Sequence, residues 1–291
     1  KSPSVVQAFE AWMARGISAS SLNELTGMPD RFYQKRLIRV KEEEEVEEQV
    51  SAMVMGNLIH KGLEKVYEPF VGKPITNIDI DQWTAQAYEA GLTYLIEVER
   101  YSKSALNQGR NLLTLEICKK MIRQFLQYDA RRAEQGTLIL KGVETKLDFE
   151  MLHPTLQLPM KFNGVVDRLE VYENAFIIWD YKSGAIGPSD LSLSGLDDLW
   201  KGSKGKPLQI LLYAWLLWKK ELVSHPFPWH SGMFKLQSGQ PEHLLRGAAL
   251  GKSNDITEEL LRDFEKALCD YLAEVHSNEL PFVEKPKYEF N

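Results

Sequence analysis

Two charged residues, two positions apart, end the otherwise apolar run of the segment FIIWDYKSG, residues 176–184. Its first four residues are typical of a strand entering a core, and Asp180 and Lys182 follow them directly. Because residues i and i+2 of a strand point to one face, we expect both side chains to project together beside Ile178. Two interpretations follow. One is a surface ion pair at a frayed strand end, and the other is a carboxylate and an amine that act together in catalysis.

A second aspartate is predicted to face the first. Two predicted strands, 160–172 and 175–182, are separated only by residues 173–174, which indicates an antiparallel hairpin. This turn places Asp167 directly opposite Asp180, with their Cβ atoms about 5 Å apart on one face. Like charges in that position destabilise a sheet, so a divalent cation is the expected compensation. A one-residue slip of the register would put the carboxylates on opposite faces and remove the argument.

One histidine could contribute an imidazole to such a site. In MGNLIHKGLE, Gly56, His60 and Glu64 are spaced four residues apart and share one face of a predicted helix. His60 could bind a metal ion, with Glu64 orienting its ring from outside the ligand shell. The alternative is a histidine with a purely structural role.

A second helix carries polar groups in an apolar setting. The segment LQILLYAWLLWKK is apolar nearly all round, which predicts a buried helix, yet Gln209 and Tyr213 lie on it one turn apart. A buried glutamine needs hydrogen-bond partners. They are either backbone groups of the core, or the substrate and the catalytic lysine.

The order of predicted elements indicates the fold class. Helices are predicted at 4–15, 19–39, 50–68, 81–101, 109–134, 207–222 and 256–276, and strands at 138–151, 160–172, 175–182 and 229–237. The second helix begins at Ser20 or Ser21 as N-cap. In the first strand, the alternation places Val143, Leu147, Phe149 and Met151 on one face and Glu144 on the other. Helices followed by sequential strands, a helix and a strand predict an α/β fold with a mixed sheet.

Composition and charge limit the function classes. The 291 residues carry a net charge of −6, which argues mildly against a protein that merely coats nucleic acid. Much of the acid lies in KEEEEVEEQ, 41–49, a predicted solvated linker or helix face.

The longest apolar run, 210–218, is shorter than the ~20 residues that cross a bilayer, so we expect no membrane association. Two cysteines without CxxC spacing predict buried thiols in a reducing cytoplasm. The missing initial methionine suggests a piece of a longer protein.

Four short motifs together resemble a known family. GNLIH, GVVDRLE, WDYKSG and QILLY, in this order, resemble the GxxxH, GxxDR, DYK(T/S)G and QxxxY motifs of the RecB-type branch of the PD-(D/E)XK nuclease superfamily. The resemblance covers about residues 18–237. In addition, SASSLNELTGMPDRFYQKRL resembles the segment that opens the nuclease domain of AddB-type helicase–nucleases.

The resemblance implies a restriction-endonuclease-like α/β core, with a mixed central sheet flanked by helices and a helical N-terminal half. Residues 1–291 would form a single nuclease domain. Residues 1–136 are its mainly helical part with the histidine motif, 137–237 its sheet core with the catalytic motifs, and 238–291 its C-terminal helix and tail.

The same resemblance implies hydrolysis of DNA phosphodiesters with Mg²⁺ or Mn²⁺. Asp167 and Asp180 would bind the metal, and His60 and the backbone carbonyl of Tyr181 would complete the ligands from the protein. Glu144 matches a glutamate often found on the first strand, where it would support the site from behind the ligands.

Other residues are implied in catalysis and substrate binding. Lys182 would position or activate the attacking water and stabilise charge on the phosphate, while Gln209 and Tyr213 would hold the substrate or Lys182. The glycine-rich segment KGSKGKP offers a basic channel for the substrate. Its cationic residues are Lys201, Lys204 and Lys206.

One departure from the family concerns a cofactor. Many relatives hold an iron–sulfur cluster through one early cysteine and three near the C-terminus. Here Met28 and Pro29 occupy the early position, and the tail FVEKPKYEFN contains no cysteine. We therefore expect no iron–sulfur cluster.

Three functions remain open at this point. The first is a metal-dependent DNA nuclease in the cytoplasm, working with a helicase subunit or with a helicase domain of a longer chain. The second is a catalytically silent module of the same fold that binds DNA or scaffolds a helicase. The third is a metal-dependent phosphoesterase that acts on small molecules. A basic substrate channel would be evidence against this third function.

Overall fold

The computed structural model describes residues 2–40, 50–237, 242–251 and 254–277. The predicted acidic linker and the cysteine-free tail lie outside these residues. The helices are α1 (Pro3–Arg15), α2 (Ala19–Gly27), α3 (Pro29–Phe32), α4 (Ala52–Tyr67), α5 (Ile80–Glu97), α6 (Lys103–Leu106), α7 (Gly109–Gln135), α8 (Gly205–Lys219) and α9 (Glu258–His276). The strands are β1 (Leu138–Leu152), β2 (Pro159–Tyr172), β3 (Ala175–Lys182), β4 (Trp229–Lys235) and β5 (Glu242–Leu244). Among the described helices, none is both long and apolar enough to span a bilayer.

The strands form one mixed sheet in the order β1-β2-β3-β4-β5. The first three strands are an antiparallel meander, and β4 pairs parallel to β3 after a crossover that contains α8. The fifth strand returns antiparallel to β4. The mixed sheet and its flanking helices confirm the predicted fold class. The strand β5 was not predicted, because three residues are too few to show an alternating pattern.

The sheet separates two hydrophobic cores, which explains the apolar run of β3. Phe176 and Ile178 pack with α8 and α9 in one core, called the α8 core here. Ile177, Trp179 and Tyr181 pack with α4, α5 and α7 in the other, the α4 core. A strand that is covered on both faces needs apolar residues at every position rather than at alternate ones.

The second predicted helix is in fact two short helices. Ser18, rather than Ser20 or Ser21, caps α2: its hydroxyl accepts the backbone N–H of Ser21, and the Ser21 hydroxyl accepts the N–H of Ser18. The helix ends before Pro29, where α3 starts and continues as a π-helical turn. Proline lacks the N–H that a continuous helix would use, and its ring disfavours a helical residue before it.

The predicted alternation along β1 is wrong at one point. Leu147, Phe149 and Met151 pack against the α8 core, as one face should, but Val143 packs against the α4 core. Between them Glu144 has a φ of +43°, a left-handed conformation that is uncommon for a residue with a side chain. The regular pleat is therefore interrupted at this glutamate, and residues on either side of it change faces.

The hairpin of β2 and β3 has the predicted turn and register. Residues 173–174 have φ values of +48° and +68°, as a two-residue turn of type I′ requires. The register pairs Arg168 with Trp179, so Asp167 and Asp180 would be the next pair. The hydrogen-bonded ladder between the strands ends before them. The strands thus stop pairing where the two carboxylates begin.

Candidate active site

Three side chains from three elements meet at the end of this ladder. His60 on α4 places its Nδ1 3.1 Å from Oε1 of Glu144 on β1 and 3.3 Å from Oδ1 of Asp167 on β2. One potential ligand atom from each of the three residues lies within 4.8 Å of the other two. Burial disfavours a charged imidazole, but the carboxylates of Asp167 and Glu144 outweigh it and raise the pKa of His60 to about 10. We call these three residues the His60 cluster.

The carboxylate beside His60 is Glu144 and not Glu64. Glu64 lies one turn beyond His60 on the same helix, yet its Oε2 pairs with Nζ of Lys61 at 2.7 Å. The prediction that Glu64 orients the histidine is therefore wrong. Helical spacing puts His60 and Glu64 on one face, but Glu64 is also within i,i+3 reach of Lys61, which neutralises it.

A second group lies on the α8 side of the sheet. Oδ1 of Asp180 accepts a hydrogen bond from Nε2 of Gln209 at 2.7 Å, and Oδ2 lies 2.7 Å from Nζ of Lys182. Gln209 also accepts from Lys182 at 3.4 Å and donates to the hydroxyl of Tyr213 at 3.0 Å. Burial, followed by the charge of Asp167, raises the pKa of Asp180 to about 7 despite the nearby lysine. The ion pair considered from the sequence thus exists, but its carboxylate is buried.

The strand end is held by a side chain in place of the ladder. Oδ2 of Asp167 accepts the backbone N–H of Tyr181 at 2.5 Å. The ring of Tyr181 packs into the α4 core, edge-on to His60 with 5.5 Å between ring centroids. Asp167 therefore joins the His60 cluster to the backbone of β3. The predicted role of the Tyr181 carbonyl as a metal ligand stays a prediction.

The donor set of this site fits a hard divalent metal ion. Mg²⁺ and Mn²⁺ favour carboxylate oxygens, and the His60 cluster offers two carboxylates and an imidazole. Asp180 is not part of that group, yet it is buried nearby, and its Oδ2 has no hydrogen bond of good geometry in the part of the chain described. Several acidic groups at one place are costly without a compensating cation. The His60 cluster could hold the ion, with Asp180 beside it.

Comparison with known proteins agrees with this geometry. The family model of the PD-(D/E)XK nuclease superfamily matches residues 16–287. The chain belongs to this superfamily. Among individually curated proteins, none matches the sequence. The mixed sheet flanked by helices is accordingly the restriction-endonuclease-like fold, and members of the superfamily are usually nucleases that depend on divalent metal ions.

The three lysines predicted to line a substrate channel in this superfamily member differ in their surroundings. Nζ of Lys201 lies 2.7 Å from Asp198, and Nζ of Lys206 lies 3.2 Å from Asp190. Lys204 is the residue that precedes the first turn of α8. Two of the three positive charges are thus partly neutralised within the protein, which weakens the case for a strongly basic channel at this segment.

A buried ionic network next to the superfamily motifs was not predicted from the sequence. Arg168 is fully buried, and its guanidinium donates to Glu170 and to Asp129 of α7, both at 2.6 Å. Asp129 also accepts from the hydroxyl of Tyr67 on α4 at 2.5 Å, and Arg132 completes the network. Two cations and two anions balance within it. The network connects α4, which carries His60, to β2, which carries Asp167. The signal for it was the charged sequence DRLE inside a predicted buried strand.

Proposed function

We propose that this chain is a Mg²⁺- or Mn²⁺-dependent deoxyribonuclease that hydrolyses phosphodiester bonds. The observation that carries the proposal is the meeting of two groups at one strand end. One is the His60 cluster, which could hold the ion, and the other is Lys182, held beside Asp180. Metal-assisted phosphodiester hydrolysis uses groups that hold a divalent ion and a cation near the reacting phosphate. The carboxylate–imidazole group and the adjacent amine would supply these two functions.

The residues of the site would have different roles in metal binding and catalysis. Asp167, Glu144 and His60 would bind the ion, with Asp180 as a further carboxylate. The bound ion supplies Lewis-acid activation and lowers the pKa of the attacking water. Lys182 has a side chain that is 31% exposed, so it can reach a phosphate while Gln209 and Asp180 hold its amine.

The alternative of a catalytically silent module of the same fold is supported less well. A module that only binds DNA gains nothing from carboxylates buried close together, because unbalanced buried charge destabilises a protein. Asp180 is such a group, since burial and Asp167 raise its pKa to about 7. Partnership with a helicase subunit or domain, the cytoplasmic location and the RecB-type assignment rest on the sequence features alone.

Digestion of end-labelled DNA tests the proposal. Linear and circular substrates, single- and double-stranded, would be incubated with Mg²⁺, with Mn²⁺ and with a chelator. We expect cleavage with either metal, none in chelator, and none by Lys182→Ala. Lys161→Ala is the control, because Lys161 is an exposed lysine paired with Glu150. A parent protein that binds DNA but cleaves no substrate with any metal would favour the silent module.

A further inference from the structure

A cleft lies between the N-terminal half of α2 and the β1–β2 hairpin. Its volume is about 640 Å³, within the range of ligand-binding pockets. Its polar lining includes Ser20, Asn23, Lys146, Asn163, Gln209 and Tyr213. We call it the hairpin cleft. A second cleft of about 570 Å³ contains Lys182 and Lys206 and shares Asn23 and Gln209 with the first. Gln209, which contacts Asp180 and Lys182, therefore borders both clefts.

Lys146 is the cation of the hairpin cleft. It follows Glu144 of the His60 cluster by two residues, which at about 3.3 Å per residue places the two Cα atoms roughly 7 Å apart. Lys146 is exposed, and no carboxylate of the described residues forms an ion pair with it. The nearby Asp148 pairs instead with Lys220 at 3.0 Å. An uncommitted positive charge thus lines the hairpin cleft two residues along β1 from the candidate metal site.

We infer that Lys146 binds a phosphate of the nucleotide next to the cleaved bond. This inference rests on the proposed nuclease function and names its substrate as a polynucleotide strand rather than a small phosphate ester. A substrate that is cleaved beside Lys182 and extends past the His60 cluster enters the hairpin cleft. Its next phosphate is an anion within reach of Lys146. Asn163, an amide in the same cleft, adds a neutral contact to the same nucleotide.

Binding measurements separate the charged contact from the neutral one. The affinity of the whole chain for a fluorescent oligonucleotide would be measured by anisotropy, in chelator, over a range of salt concentrations. Lys146→Ala should reduce the slope of log affinity against log salt by about 0.7 and lower affinity about 3- to 10-fold at low salt. Asn163→Ala should lower affinity without changing the slope. Lys161→Ala, on the same hairpin, should match the parent. A Lys146→Ala slope equal to that of the parent would overturn the inference.

Turnover tests whether the contact belongs to a strand. With Mn²⁺, Lys146→Ala should lower kcat/KM for the oligonucleotide about 5- to 10-fold and leave kcat/KM for bis(p-nitrophenyl) phosphate within twofold of the parent. Lys146→Arg should restore most of the oligonucleotide activity. Equal losses on both substrates would contradict the inference, because Lys146 would then act at the reacting phosphate. A parent that cleaves neither substrate would refute the nuclease proposal, and the binding measurements would still decide the role of Lys146.

Discussion

Replacing Asp180 with Asn should make the metal-free protein more stable at neutral pH. Burial, and after it the charge of Asp167, raises the pKa of Asp180 from 3.8 to about 7. A group whose pKa is raised on folding stabilises the folded state at pH values below its unfolded-state pKa. This stabilisation is lost as the pH rises through its folded-state pKa. The parent should therefore lose stability between about pH 4 and pH 7. The Asn variant does not titrate there, and it can keep the hydrogen bond from Gln209.

The expected size follows from the same values. A rise of about 3 pKa units corresponds to about 4 kcal/mol once the carboxylate is ionised, and about 2 kcal/mol of this falls between pH 5 and pH 7. The attraction of Lys182 is already contained in that pKa, so burial and Asp167 outweigh the ion pair. For a protein of this size, the melting temperature of the variant should gain about 5 °C on the parent over this pH interval.

Thermal melting in chelator at pH 5, 6, 7 and 8 measures the effect. Asp148→Asn is the control, because Asp148 is 71% exposed and pairs with a lysine at the surface. The gap between the Asp180→Asn variant and the parent should widen with pH, while the control stays parallel to the parent. If the Asp180→Asn variant melts several degrees lower at every pH, Asp180 is ionised and stabilised by Lys182. The reasoning about repulsion would then be refuted.

Three further variants address separate parts of the structure. Glu144→Gln should weaken Mn²⁺ binding at least about tenfold, whereas Glu64→Gln should leave Mn²⁺ binding unchanged. Calorimetric titration compares the two variants, and equal effects would contradict the assignment of Glu144 to the metal site. Lys182→Ala should abolish cleavage and change oligonucleotide affinity by less than about threefold, because its charge is already paired with Asp180 and adds little to the phosphate contacts that determine affinity. Turnover within a few-fold of the parent would exclude its catalytic role. Arg168→Ala should lower the free energy of unfolding by about 3–5 kcal/mol, because it leaves buried carboxylates without their cation. Denaturant unfolding measures this loss, and a value below 1 kcal/mol, as expected for the exposed Arg262→Ala, would disagree.

The β2–β3 hairpin could be predicted in detail because local rules determine it. A two-residue connection between two strands leaves one preferred turn, and the turn sets the register. The positions of Asp167 and Asp180 follow from that register without any knowledge of tertiary packing. Gln209 was equally accessible, because a polar residue on an apolar helix must find a partner.

The surroundings of His60 could not be predicted in the same way. Periodicity shows that Glu64 shares a helical face with His60, but it does not show that Lys61 neutralises Glu64 first. The position of Glu144 depends on its left-handed backbone, and an alternating pattern assumes a regular pleat. The network around Arg168 joins α4, α7 and β2, so its partners are distant in sequence and no local pattern indicates them.

The separation of the two cores by the sheet has a consequence for how the proposed nuclease could change in evolution. The imidazole reaches the site from a helix of the α4 core, whereas Gln209 and Tyr213 reach it from a helix of the α8 core. Substitutions inside one core shift its own helix and leave the other helix supported by its own packing. If the proposed roles hold, selection or engineering could adjust metal binding through one side of the sheet and substrate binding through the other, with Asp167 and Asp180 between them.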